Sequence, residues 1–117
     1  MSTRHTIESY FDKLKQRSGW ESLLADDMVF ISYTSPVKKL ASKATFLSST
    51  KGFYDSIRSM EVGHVLVDGA RALVTTRYEL QRPGAAAFRS DVAELFEVRD
   101  GKITEFAIYF DSAPFPK

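Results

Sequence analysis

The stretch SDVAELFEVRDGKITEFAIYFD, Ser90 to Asp111, decides the fold. Side chains along a strand alternate between its two faces. That places Ser90, Val92, Glu94, Phe96 and Val98 on one face and Asp91, Ala93, Leu95 and Glu97 on the other. Asp100-Gly101 then marks a tight hairpin turn, and a second apolar run comes after it. The first face is the more apolar, yet Glu94 sits in its middle. A carboxylate there is a solvated group near a sheet end, a partner for a buried cation, or a working acid. The residues alone leave these three open.

Working outward, VLVDGARALV carries a second hairpin signal at Asp68-Gly69, and RPGAAAF supplies a Pro-Gly turn and a longer loop. A four-strand antiparallel meander is expected from about residue 60 to residue 110. The first half changes period. Ile7, Tyr10, Phe11 and Leu14 mark one face of an amphipathic helix that Gly19 ends. Ser18 and Glu21 form a capping box for a short second helix carrying Trp20, Leu23 and Leu24, which Ala25-Asp26-Asp27 closes. MVFISY reads as a strand, and SKATFLSSTKGFYDSI as a third helix with Phe46, Phe53, Tyr54 and Ile57 on a shared face. The expected fold is α+β: a cone-like curved antiparallel sheet with about three N-terminal helices over its concave face. The wide end of such a cone leaves an apolar cavity for a small ligand. Residues 1–117 are expected to form one domain.

The composition narrows the classes of function. The 117 residues carry a net charge of +1 with scattered basic side chains, so no field steers the chain to nucleic acid or an anionic membrane. The chain contains no cysteine, which excludes disulfides, thiol catalysis and cysteine-based zinc sites. No apolar run approaches a membrane span, and MSTRHTIESYF has no signal-peptide core, so a cytoplasmic protein is expected. The two histidines, His5 and His64, are too far apart to form a metal signature. No phosphate loop or nucleophile elbow is present, and no cofactor is expected.

Three segments, IESYFDKL, WESLLADDMVF and FEVRDGKITEFAIYFD, resemble the nuclear transport factor 2-like superfamily. Within it they resemble the SnoaL-like polyketide cyclases and ketosteroid isomerases. The resemblance implies a small apolar or aromatic carbonyl compound as ligand and cofactor-free proton transfer beside the carbonyl. It places Tyr10 and a neutral Glu94 as an oxyanion hole. The isomerase base position falls near Ser32, and no carboxylate occurs between Asp27 and Asp55. His64, read as sharing a strand face with Val62 and Leu66, and Asp111 are therefore the candidates for moving the proton. Tyr10 and His64 read equally as core residues. The expected cavity lining is Trp20, Ser32, Phe53, Tyr54, Tyr78, Phe96 and Phe110. On the opposite face, Leu95, Ala107 and Tyr109 among charged residues suit a homodimer or an open solvated sheet. The alternative function is a non-catalytic binding or dimerisation module of the same fold.

Overall fold

The computed structural model describes residues 2–36 and 38–115. Helix α1 (Thr3–Gln16) buries Ile7, Tyr10, Phe11 and Leu14, the predicted stripe. Ser2 caps it by accepting from the His5 N–H. Arg17, left-handed at φ 59°, ends it, and the Ser18 N–H closes onto the Lys13 carbonyl. Because the Ser18 N–H finishes α1, the predicted capping box does not form. Gly19 is the N-cap of the next helical turn, and no side chain caps that turn.

The expected second helix is a single 3-10 turn, Trp20–Leu23. Four residues between a helix stop and a strand cannot close a stable α-helix. Among the described residues the fold thus has two α-helices, not three. Strand β1 (Leu24–Ser32) starts earlier than predicted and absorbs Asp26 and Asp27, both exposed. A short edge strand, β2 (Lys39–Ala41), pairs with it and was not expected. Helix α2 (Lys43–Ser56) is capped by Ser42 and buries Phe46.

The meander comes next as β3 (Ile57–Asp68), β4 (Arg71–Leu80), β5 (Phe88–Arg99) and β6 (Lys102–Phe110). Arg99 pairs with Lys102 across Asp100-Gly101, both at positive φ, the geometry a two-residue hairpin turn demands. The first hairpin turns one residue later than the sequence suggested. Asp68 pairs with Arg71, so Gly69-Ala70 is the loop.

The sheet order is β2-β1-β6-β5-β4-β3. All neighbours are antiparallel except β1 and β6, which run parallel. Register shifts in β3 between Val62 and Val65 interrupt the alternation. Gly63 makes this bulge sterically feasible, since a Cβ there would lie 2.6 Å from the Thr75 hydroxyl oxygen. On β5 the predicted alternation holds, with Ser90, Val92, Glu94, Phe96 and Val98 all buried.

The helices cover this face, and an aromatic cluster packs the junction. Phe96 and Phe106 stack at 4.5 Å, Tyr10 meets both edge-on, and Phe30 and Phe46 close against Phe106. Among the described residues, no helix is long and apolar enough to cross a membrane.

Candidate functional site

Beside the aromatic cluster, the concave face holds a cavity of ≈ 220 Å³. Helix α2 gives Phe53, Tyr54 and Thr50, β1 gives Ser32, β5 gives Ser90, Val92 and Glu94, and β6 gives Ile108 and Phe110. Arg82 and Phe115 contribute from outside the sheet.

Glu94 is 2% exposed. The antiparallel register sets Val74 opposite Glu94, Thr76 opposite Val92 and Tyr78 opposite Ser90. Thr76 and Tyr78 therefore stand diagonal to Glu94 on the same face. The Thr76 hydroxyl donates to Glu94 Oε2 at 2.5 Å, and the Tyr78 hydroxyl donates to the same oxygen at 2.8 Å. Burial pushes the Glu94 carboxyl up from 4.5 to about 7, while the two hydroxyl donors hold it back. Both donors occupy Oε2, so a proton bound near neutrality resides on Oε1. Oε1 has no hydrogen-bond partner among the described residues, and Glu94 lines the cavity.

A second hydroxyl pair stands nearby. The Tyr10 and Tyr54 hydroxyls are 3.0 Å apart. Burial raises both phenols above their ordinary pKa, and the Glu94 charge raises each further, a sign that all three groups are neighbours. Both stay protonated near neutrality. Tyr10 is fully buried behind the cavity, and Tyr54 lines it. If Tyr10 donates to Tyr54, the Tyr54 proton is free for a ligand.

The predicted residues divide clearly. Ser32, Phe53, Tyr54, Phe110 and Glu94 line the cavity. Tyr10 bonds Tyr54, with no direct hydrogen bond to Glu94. Tyr78 sits behind Glu94 as its donor, and Phe96 belongs to the packed cluster. Trp20 stacks on Tyr54 at 4.2 Å and lines a separate outer groove with Arg17 and Lys51. Ser32, near which the base position was expected, shares a hydrogen bond with Ser35 at 2.7 Å.

His64 and Asp111 are both exposed and away from the cavity. The β3 bulge explains His64. Val62 and Val65 are both half-buried across it and Leu66 is exposed, so His64 does not share an inward face with Val62 as the uninterrupted alternation implied. Asp111 lies just past β6 and caps the Ala113 N–H.

Sequence reasoning missed Thr76 as a holder of Glu94, and Ser90 as a cavity hydroxyl. Both emerge from pairing β4 with β5 in register, a step the hairpin turns alone could not supply. Among the described residues there is no cluster of three or more His, Asp or Glu side chains that could hold a metal.

A family model described as a SnoaL-like domain matches residues 7–106. The chain belongs to the SnoaL-like domain family. Comparison with curated protein sequences finds no match. Solved structures share its fold. A provisionally named ketosteroid isomerase from Kribbella flavida aligns with a TM-score of 0.75 and 24% identity over 98% of this chain and 82% of that one. A provisionally named SnoaL-like polyketide cyclase from Mesorhizobium loti aligns with a TM-score of 0.78 and 19% identity, over 93% of this chain and 99% of its own. An LEH-like epoxide hydrolase from M. tuberculosis aligns with a TM-score of 0.78 and 20% identity, over 96% and 84%. At these identities the likeness establishes the nuclear transport factor 2-like fold. The neighbours' differing names show that this SnoaL-like fold carries more than one chemistry.

Proposed function

We propose that this SnoaL-like protein binds a small apolar or aromatic carbonyl compound and moves a proton beside the carbonyl, as a cofactor-free isomerase or lyase. The observation that carries this reading is Glu94, a buried carboxyl at about 7 with Oε1 left free of protein partners at the cavity. A general base works best when its pKa lies near the working pH. Ionised Oε1 takes the α-proton, the C–H electron pair flows into the carbonyl, and the enolate oxygen accepts a hydrogen bond from Tyr54. Protonated Oε1 then returns the proton to carbon. Glu94 thus takes the proton-moving role first sought in His64 and Asp111, and Tyr54 rather than Tyr10 meets the oxygen.

The cavity volume of ≈ 220 Å³ lies below the roughly 300–1,000 Å³ of drug-sized sites, which favours a one-ring or two-ring ligand. The test is α-proton exchange of cyclohexanone and acetophenone in deuterated buffer at pH 8, monitored by NMR. Exchange above the buffer rate supports the reading. Binding of either ketone without exchange supports the non-catalytic binding module instead, and neither binding nor exchange removes the cavity reading.

We also propose that the convex sheet face pairs two copies of the chain. Leu66 is 61% exposed, Tyr109 52%, Tyr33 47% and Leu95 40%, around buried Ala107. Tyr33 and Tyr109 stack at 4.5 Å on this side. Arg71, Glu97 and Glu105 border the same hollow, giving both charge signs for a self-complementary two-fold contact. The expected result is a dimer by analytical ultracentrifugation that Leu95→Arg converts to a monomer with an unchanged circular dichroism spectrum. A wild-type monomer at 100 µM (about the concentration of a routine run, where a weak dimer of micromolar Kd is already populated) would overturn it.

A further inference from the structure

The cavity has a second polar end, away from Glu94. Ser90 is fully buried and its Oγ has no hydrogen-bond partner among the described residues. Buried hydroxyls are almost always paired, so an orphan that lines a cavity is a site for a ligand atom. Ser90 lies on the same strand face as Glu94, four residues away, or about 13 Å between Cα atoms along an extended strand. Between them the cavity wall is apolar: Val92, Ile108 and Phe110.

Arg82 borders the same cavity. It is exposed, and its guanidinium makes no hydrogen bond or ion pair among the described residues, whereas Arg58 bonds Gln81 and Arg77 pairs with Asp91. Its backbone is nonetheless fixed. The Ala85 N–H donates to the Arg82 carbonyl, and the turn holds Pro83 and then Gly84 at φ 74°, the residue order of a type II turn. The Gln81 side chain ties the same loop by donating to the Ala85 carbonyl. Apart from Glu94, no acidic side chain among the described residues lines the cavity to neutralise Arg82. A planar guanidinium rooted at a cavity rim by a fixed backbone suits a carboxylate.

Resting on the reading of Glu94 and Tyr54 as the carbonyl end, we infer that the ligand is a keto acid: a small ring bearing an enolisable carbonyl at the Glu94 end and a carboxylate at the other. Ser90 donates to that acid tail inside the cavity, and Arg82 pairs with it at the rim. The apolar stretch between them takes the ring and its linker.

Three probes that share a phenol, as a stand-in for the enol, test this by calorimetry at pH 6 and low salt. They are 4-ethylphenol, 3-(4-hydroxyphenyl)propanoate and the corresponding propanamide. The acid is expected to bind about tenfold more tightly than the amide, the gain from one charge-assisted hydrogen bond. Arg82→Gln, an exposed change, is expected to erase that gain while leaving 4-ethylphenol within about twofold, since surface charges contribute little to an uncharged ligand. Ser90→Ala is expected to weaken acid and amide together and spare 4-ethylphenol. Equal binding of acid and amide, or an acid preference that survives Arg82→Gln, overturns the acid tail alone. Failure of all three probes to bind overturns the carbonyl end with it.

Discussion

Replacing Glu94 with glutamine is expected to give a protein that is more stable than wild type at pH 8 and about 10²–10⁴ slower in proton transfer. Glutamine reproduces the neutral acid. Its carbonyl oxygen can accept from Thr76 and Tyr78 where Oε2 does now, and its NH₂ takes the place of Oε1–H at the cavity. The stability effect comes from linkage. Glu94 titrates at about 7 in the fold and near its ordinary 4.5 in the unfolded chain. Below 4.5 both states are protonated and the group costs nothing. As pH rises from 4.5 to 7 the unfolded chain ionises first, so wild-type stability falls across that window. Above 7 the loss levels off at roughly 3 kcal/mol, from 1.36 kcal/mol per pKa unit.

Urea denaturation at pH 4.5 and pH 8 checks this. The two proteins are expected to match at the lower pH and separate at the higher one, with glutamine the more stable. Equal separation at both values would show that Glu94 does not titrate in this window. Activity runs the other way. Wild-type α-proton exchange is expected to rise with pH through about 7 as Oε1 loses its proton, and Glu94→Gln to lower it by about 10²–10⁴, the usual contribution of a placed base. The residue that weakens the fold at alkaline pH is the residue that would do the chemistry there.

The second large effect belongs to the core. Phe106→Ala is expected to cost about 3–5 kcal/mol, the range for a buried aromatic truncated to alanine. Phe106 is 2% exposed and touches the rings of Tyr10 at 6.1 Å, Phe30 at 5.3 Å, Phe46 at 5.9 Å and Phe96 at 4.5 Å. These come from α1, β1, α2 and β5, so the truncation loosens four elements together. Phe110→Ala, at the half-buried wall of the cavity, is expected to cost less than half as much. Guanidinium denaturation of both variants separates the two, and a loss below about 1.5 kcal/mol for Phe106→Ala would show that the cluster relaxes into the space.

The meander was legible because its signals are local. Alternation from Ser90 to Val98 and the Asp100-Gly101 turn depend on neighbours in sequence, and the structure reproduces both. The stripe Ile7, Tyr10, Phe11 and Leu14 was legible for the same reason. What failed turned on partners that the sequence does not display. Ser18 reads as an N-cap until its N–H closes α1 on the Lys13 carbonyl. His64 reads as inward until the bulge at Gly63, where the His64 N–H donates to the Thr75 hydroxyl, interrupts the strand. Glu94 was conspicuous as a carboxylate on an apolar face, but its partners come from β4 in a register that only the folded sheet fixes. Alternation placed Ser90 on the face of Glu94, but a serine at the start of an apolar run looks like any solvated strand end, so its role at the cavity was not legible.

The parallel pairing of β1 with β6 bears on how the chain reaches this state. Phe30 stands beside Phe106, with β2, α2 and the first three strands of the meander lying between them in sequence. The meander from β3 to β6 can zip by short hairpins, but β1 and its satellite β2 must find their place across almost the whole chain. Contacts of such sequence separation slow folding, since a long loop must close before any contact rewards it. During synthesis β1 emerges before β6, and Phe30 cannot meet Phe106 until β6 has left the ribosome. The interval before that docking is when the nascent chain is most open to aggregation, and when a chaperone would have the most to hold.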